Sequence, residues 1–421
     1  MKILILSNFF PPEFLGGYEL GCAQVVEQLR QQGHNVQVLC SIAYETLVPA
    51  TEPGVMRTFS LANLYYGVQI ADAHRRLVQH QARVSHFPNV YQLLQTLRWF
   101  KPDVVYCFNL LGLGGLGILD ALDSVGVPWV WHLMDRVPAQ LVENVSDQIR
   151  LLFSCGQGNF SKGTHISMSQ VLLDEIDSFN VQLGDRIHIV PGWVTPLSPN
   201  LPKRTYAPEG ITRFVFAGGI NSNKGVDLIL DAASHLREEG VKQFCIDLYG
   251  SGDVQKYVAI AARLGISEQV RFMGSCTREK LLEKYQNYDA LLFPSWEREP
   301  FGFVPIEAAA EGCAVIMTRQ VGAAERLVGG VHCLKANRIA QEISGAMRQL
   351  IGDRGLLESL AQRGCAFVRQ DLSLSKLGAN IETILYASTR AIKWDAVDWE
   401  QVYRLAFLKD QTSLFLLSTL M

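Results

Sequence analysis

The segment KILILSNFFPPEFLGGYELGCAQVVEQLRQQGHNVQVLC, residues 2–40, decides the fold. Lys2 to Ser7 is an apolar run rich in Ile and Leu, the composition of a strand buried on both faces of a parallel sheet. A proline-bearing loop follows and closes on Gly16-Gly17. From Tyr18 to Gln32, Leu20, Ala23, Val26 and Leu29 recur at helical spacing. Gly33 ends that helix, and Asn35 to Cys40 reads as a second strand. Strand, glycine turn, helix and strand in such short order predict the opening of a doubly wound domain.

Working outward, the same rhythm continues. Asp103–Phe108, Val127–Leu133, Thr164–Met168 and Ile187–Val190 read as strands, the second of them reached through a glycine-rich segment at 112–117. Leu61 to Phe100 is mostly helical in pattern, and Gln170 to Phe179 is a further helix. Pro191 to Pro208 holds five prolines and little periodicity, which marks a domain boundary. The second half then restarts. Arg213–Ala217, Phe244–Tyr249, Val270–Met273, Ala290–Phe293 and Ala314–Met317 are predicted strands. Helices are expected at Val226–Leu236, Arg278–Tyr285 and Ile339–Ile351. Alternation in both halves predicts an α/β protein of two Rossmann-like doubly wound domains facing each other across a cleft. The expected boundaries are residues 1–195, a linker at 196–206, a second domain at 207–385 and a terminal segment at 386–421.

Composition narrows the function. With 421 residues, 48% hydrophobic and 19% charged, the chain is an ordinary globular one with sizeable cores. A net charge of −3 carries no footprint for nucleic acid. Nine scattered cysteines without a C-x-x-C pair argue against a disulfide framework and a thiolate metal site, and fit a reducing cytoplasm. His74, His80 and His86 stand six apart, which places them on different helical faces and argues against a metal cluster. The apolar run before Ser7 is too short for a signal peptide, and Val104 to Leu119 is too short for a membrane span. The tail from Ala391 to Met421 is apolar and partly amphipathic, with Trp394, Trp399, Tyr403, Phe407 and Phe415. Two readings stand for it: a terminal helix packed over the first domain, or a contact with a membrane surface or a subunit.

The chemistry concentrates in FPSWEREPFGFVPIEAAAEG, residues 293–312. A strand ends in a Pro-Ser turn, and Glu299 and Glu307 follow with seven residues between them. A helix is expected to start near Val304 or Pro305, with Pro305 in a first helical position and Glu307 in the first turn. Free amides at that helix start suit an anion such as phosphate, while the carboxylates suit hydroxyl groups. Gly16-Gly17 before the first helix offers a second place where backbone approaches a diphosphate.

These motifs in this order resemble the family-four retaining glycosyltransferases, also called glycosyl transferases group 1. The resemblance rests on Pro11, Pro12, Gly16, Gly17, Gly33 and His34, on Asn223-Lys224-Gly225, and on the E-x7-E spacing of Glu299 and Glu307. It runs in colinear order from about residue 1 to 385. It implies the GT-B fold and transfer of a sugar from a nucleoside-diphosphate sugar, with retention, to a carbohydrate or lipid-linked acceptor. On the same resemblance, catalysis falls to Glu299, Lys224 and His132. Donor binding falls to Gly16, Gly17, Lys224, Glu299, Phe301, Gly302, Phe303, Val304 and Glu307. Glu307 would accept hydrogen bonds from ribose hydroxyls, and the base would lie near Tyr249–Gly252 and Arg271–Gly274. No metal or other cofactor and no nucleic-acid partner is expected. The expected location is cytoplasmic, with a peripheral contact at the inner face of the membrane left open.

Four positions depart from the family pattern. Gly219 stands where a diphosphate-binding Arg is usual, and Arg298 is the nearest replacement in sequence. Met134-Asp135 stands where His-Asp is usual; His132, two residues earlier, is either a substitute or a core histidine. Gly192-Trp193 replaces Asn-Gly, and Pro300 replaces the glycine after the first Glu. The missing cation and displaced His leave room for a sugar-nucleotide-binding scaffold without catalysis. Another GT-B enzyme, such as an epimerase, is the further alternative.

Overall fold

The computed structural model describes residues 1–42, 52–62, 72–198, 200 and 210–419, which form two compact units. One comprises residues 1–167, 173–190 and 378–421; the other comprises 168–172 and 191–377. All nine cysteines are free thiols.

The first unit is built on strands β1 (Lys2–Leu6), β2 (Asn35–Ser41), β3 (Val55–Phe59), β4 (Val104–Cys107), β5 (Trp129–Leu133), β6 (Thr164–Ser167) and β7 (Ile187–Ile189). Their order is β3-β2-β1-β4-β5-β6-β7, and every pairing is parallel. Ile3, Leu4, Ile5 and Leu6 are fully buried, as a strand covered on both faces requires. β3 is an edge strand without an apolar run, so its sequence did not announce it. The glycine-rich segment at 112–117 is not a plain connection. It enters a helix, Gly115–Val125, whose N-cap is Gly114 at φ 80°. A Cβ on Gly114 would sit 2.5 Å from the His86 amide nitrogen, and one on Gly115 2.7 Å from Leu141. The glycines are there because the helix lies close to its neighbours. The expected helical stretch from Leu61 resolves into helices Asp72–Arg83 and Phe87–Phe100, and its part at 63–71 lies outside the described residues.

The tail forms a helix, Trp399–Thr419, packed on helices Phe87–Phe100, Gly115–Val125 and Asp147–Arg150 of this same unit. Buried polar contacts fix its register. Lys409 Nζ donates to both Asp120 oxygens at 2.9 and 2.8 Å. Asp410 accepts from Ser85 Oγ at 2.7 Å and from the Phe87 amide at 3.1 Å. Among the described residues no helix is long and apolar enough to cross a membrane.

The second unit repeats the plan with β8 (Thr212–Ala217), β9 (Phe244–Tyr249), β10 (Val270–Gly274), β11 (Ala290–Phe293), β12 (Ala314–Thr318) and β13 (Leu334–Ala336). The order is β10-β9-β8-β11-β12-β13, again all parallel. Phe214, Phe216, Ile246, Leu248 and Leu292 sit at its centre. Gly250, at φ 149°, is required where the turns after β8 and β9 meet: a Cβ there would lie 1.8 Å from the Gly218 carbonyl oxygen. The expected proline linker falls largely on residues 199 and 201–209, outside the described residues.

Candidate functional site

In each sheet the strand order reverses beside its first strand, between β1 and β4 and between β8 and β11. Crevices at the carboxyl ends of such strands bind ligands in doubly wound folds.

In the second unit the turns after β8 and β11 are stitched together. Asn221 Oδ1 accepts the Lys224 amide at 3.0 Å, and the Trp296 amide donates to the Asn223 carbonyl at 2.9 Å. Gly225, at φ 77°, leaves no room for a side chain, since a Cβ would lie 2.3 Å from the Pro294 carbonyl oxygen. This stitching delivers Lys224 to Glu299: Nζ and the carboxylate form a direct ion pair. Ser295 Oγ donates to the same carboxylate at 2.8 Å. Both partners keep exposed surface, 32% for the Lys224 side chain and 14% for Glu299.

Gly302, at φ 88°, is the N-cap of helix Phe303–Ala310. Its missing side chain matters, because a Cβ would meet the Phe293 ring at 2.9 Å. The helix thus starts at Phe303, ahead of the expected Val304 or Pro305. Pro305 is its third residue, still within the turn whose amides need no helical partner. Glu307 is the fifth residue, in the second turn instead of the first. There it is buried, and its Oε1 accepts from Arg278 Nε at 2.7 Å. Arg278 is a residue that sequence reasoning missed. Only its position after Thr277, a helix cap, was readable, and the pairing across 29 residues left no local signal.

Phe301 is buried against Gly192, where a Cβ would lie 2.5 Å from its ring, so the departure at Gly192-Trp193 is matched to this loop. Trp193 in turn packs edge-on against Phe303 at 6.0 Å. Phe303 and Val304 stay partly exposed at the helix start. Gly219 has Asn221 close by: a Cβ there would lie 2.7 Å from Asn221 Nδ2, the side chain that holds the Lys224 turn. Arg298, the expected replacement cation, stacks on Trp296 with its guanidinium 5.1 Å from the ring centre. In the region expected for the base, Arg271 is committed to Asp247 through Nε and Nη2 at 2.7 and 2.9 Å. Tyr288 OH donates to that same Asp247 at 2.7 Å, and Tyr249 OH lies 2.9 Å from Tyr288 OH.

In the first unit Gly16 is the N-cap of helix Gly17–Gln31. Its amide, and that of Leu15, donate to Glu19 at 3.0 and 3.2 Å. The buried Glu19 carboxylate therefore already occupies the positive end of this helix. Glu three residues beyond the N-cap was a readable signal, and the sequence reading passed over it. His132 lies in β5, fully buried, with Nδ1 2.7 Å from Tyr106 OH and its ring 5.2 Å from that of Phe108. Burial pulls its pKa down to about 3, so it is neutral. Its backbone has another part: Tyr18 OH donates to the His132 carbonyl at 2.7 Å and accepts from the Met134 amide at 3.2 Å. Beyond β5 the exposed Asp135 lines a cavity of about 180 Å³ with Asn8, Tyr18, Arg83, Asn109 and Gln140. Asn8 and Asn109 follow β1 and β4, so this cavity sits at the switch point of the first sheet.

Two parallel sheets of this order, each with its polar residues at the switch point, define a two-domain GT-B protein. Comparison with known proteins agrees. Residues 16–193 match the glycosyl transferase 4-like domain, and residues 199–366 match the glycosyl transferases group 1 domain. The chain is 31% identical over 392 residues to the D-inositol 3-phosphate glycosyltransferase of Nocardia farcinica, covering 83% of this chain and 80% of that one. It is 21% identical over 346 residues to an uncharacterised 42.6 kDa protein of the Klebsiella pneumoniae cps region, covering 76% and 86%. Among solved structures, sucrose-phosphate synthase of Thermosynechococcus elongatus superposes with a TM-score of 0.69 at 17% identity, over 92% of this chain and all of that one. Anabaena HepE, in complex with UDP, superposes with a TM-score of 0.63 at 19% identity, over 92% and 100%. The chain belongs to the glycosyl transferases group 1 family, and it is a glycosyltransferase.

Proposed function

We propose that the chain transfers a sugar from a nucleoside-diphosphate sugar to an acceptor hydroxyl, with retention and without a metal ion. The observation that carries this reading is the contact between Lys224 and Glu299, 75 residues apart, with Glu307 in the second turn of the helix that follows. Lys224 is the cation for the departing diphosphate, where a charge-assisted contact strengthens as negative charge develops. Glu299, released from part of its hold on Lys224, meets hydroxyls of the donor sugar. Glu307, oriented by Arg278, accepts from the ribose hydroxyls. Amides of Phe303 and Val304 at the helix start face the phosphates. In the first unit the cavity of Asn8, Asn109 and Asp135 receives the acceptor, a carbohydrate or a lipid-linked one.

In the reaction the bond between the anomeric carbon and the diphosphate oxygen breaks, and the acceptor oxygen bonds to that carbon from the same face. The acceptor proton passes to the leaving phosphate oxygen. This front-face route suits a site whose nearest carboxylate is already tied to a lysine and a serine. UDP is the first nucleotide to try, since HepE was solved with it. The test is incubation with a panel of nucleoside-diphosphate sugars and acceptors, with NMR of the product anomer and a parallel reaction in EDTA. A product of retained configuration formed equally in EDTA is expected; an inverted product or dependence on added metal contradicts the reading. Gly219, with no side chain at the second cation position, favours one rival, a scaffold that binds the nucleotide sugar without turnover. Calorimetric binding with no product would identify it.

A further inference from the structure

A second cavity adjoins the acceptor cavity of the first unit. It encloses about 270 Å³ and shares Arg83 with its neighbour. Arg76, Gln79, Asn144 and Ser146 line it, with Leu417 of the terminal helix at its wall. Among the described residues it has two arginines and no carboxylate on its lining. Arg83 is held in place, since its Nη1 donates to the Glu143 carbonyl at 2.9 Å, which leaves the rest of the guanidinium for another partner. The Ser146 hydroxyl oxygen is enclosed and has no hydrogen-bond partner among the described residues. His80 beside them is pushed down by burial to about 4, so near neutral pH it adds no charge.

Two guanidinium groups and an unpaired hydroxyl in a concavity without acid are the donor set for a phosphate oxygen cluster. A hydroxyl-binding cavity lies next door, and Arg83 faces both. We propose that the acceptor carries a phosphate ester, held here by Arg76, Arg83 and Ser146, while its reactive hydroxyl enters the neighbouring cavity. The inference rests on the acceptor-side reading of the first unit given above. A free sugar phosphate and a lipid headgroup share this chemistry, and the experiment separates them.

The full chain, saturated with UDP so that a diphosphate site is filled, is titrated by calorimetry with glucose 1-phosphate and with methyl α-glucoside. The phosphorylated probe should bind about tenfold more tightly or better, the effect of one charged hydrogen-bonding partner. Arg76→Gln and Arg83→Gln should each remove that preference. Arg76 is exposed, so its replacement leaves the core untouched, and thermal melting of each variant checks the fold. In parallel, the chain is sedimented with vesicles of phosphatidylcholine alone and of phosphatidylcholine mixed with phosphatidylinositol. Arginine-dependent capture by the second vesicles alone supports the proposal and assigns a lipid source; arginine-dependent binding of glucose 1-phosphate without capture supports it and assigns a free one. No preference for phosphate in either arm, or a preference that survives both substitutions, overturns it. UDP binding measured on the same samples keeps the donor reading separate: its loss in the unmodified chain sinks that reading, whatever the acceptor probes do.

Discussion

The first turn of each sheet makes an instructive comparison. After β1 the chain reaches a helix through Gly16, and after β8 it reaches one through Gly225. Both are glycine turns at a switch point, yet they present opposite charge. In the first unit the turn is closed by the Glu19 carboxylate, which accepts the Leu15 and Gly16 amides. In the second it is closed by the neutral Asn221 amide side chain, and the next charged group is the half-buried Lys224 ammonium, paired with Glu299. An anion approaching the first turn meets a carboxylate already in possession of the helix end; one approaching the second meets a cation. The same topology therefore carries different polar groups in the two units, and the proposed function assigns the diphosphate to the second.

Acid offers the broadest way to probe how differently the units are built. The first unit buries His80, His132 and His165 as neutral imidazoles, with pKa values pulled down by burial to about 4, 3 and 3. In the unfolded chain each takes up a proton near its ordinary value of 6.5. Because the folded values are the lower ones, stability is full above 6.5 and falls as the pH drops below it. Between pH 7 and 5.5 the loss is roughly 1 kcal/mol for each, a sum of about 3 to 4 kcal/mol. Hydrogen exchange at pH 5.5 should show β4, β5 and β6 losing protection before β9, β11 and β12. Even loss across both sheets breaks this part of the comparison.

Smaller effects sharpen it further. Lys224→Ala should lower the transfer rate by about 10²- to 10³-fold, the usual cost of losing one electrostatic group aimed at developing charge. A rate within a factor of about two of the unmodified chain removes Lys224 from the chemistry. Glu307→Ala should raise KM for the donor by about tenfold while leaving kcat less changed, since a ribose contact is made in ground and transition states alike. A pure kcat effect places Glu307 at the reacting carbon instead. Glu19→Ala should cost about 1 kcal/mol of stability, as the loss of a helix cap does, and leave donor affinity unchanged. A weakened donor affinity brings the Gly16-Gly17 turn back as a diphosphate contact.

Much of the scaffold was legible in the chain, for a definable reason. Strands buried on both faces, such as Ile3–Leu6 and Ala290–Phe293, are unbroken apolar runs, which sets them apart in a chain of this composition. β3 and β13 lie at sheet edges, half covered, and lack that run. The Gly115–Val125 helix was concealed by glycines that serve close packing and not a turn. In the site, spacing within one segment was readable, so Glu299, Gly302 and Glu307 stood out together. What pairs across the fold was not: Arg278 with Glu307, and Arg271 with Asp247, are long-range ion pairs without a local pattern. His132 illustrates the opposite limit. Alternation put it on one face of its strand, but every residue of β5 is buried, so alternation there does not separate a ligand-facing position from a core one.

The diphosphate assignment to the second unit is tested most directly by calorimetric titration with UDP, GDP and ADP. The same titrations are run on Lys224→Ala and Glu19→Ala. One nucleoside diphosphate should bind the unmodified chain, lose about tenfold or more in affinity with Lys224→Ala, and bind Glu19→Ala as before. Binding of none of the three, or equal binding to Lys224→Ala, contradicts the assignment.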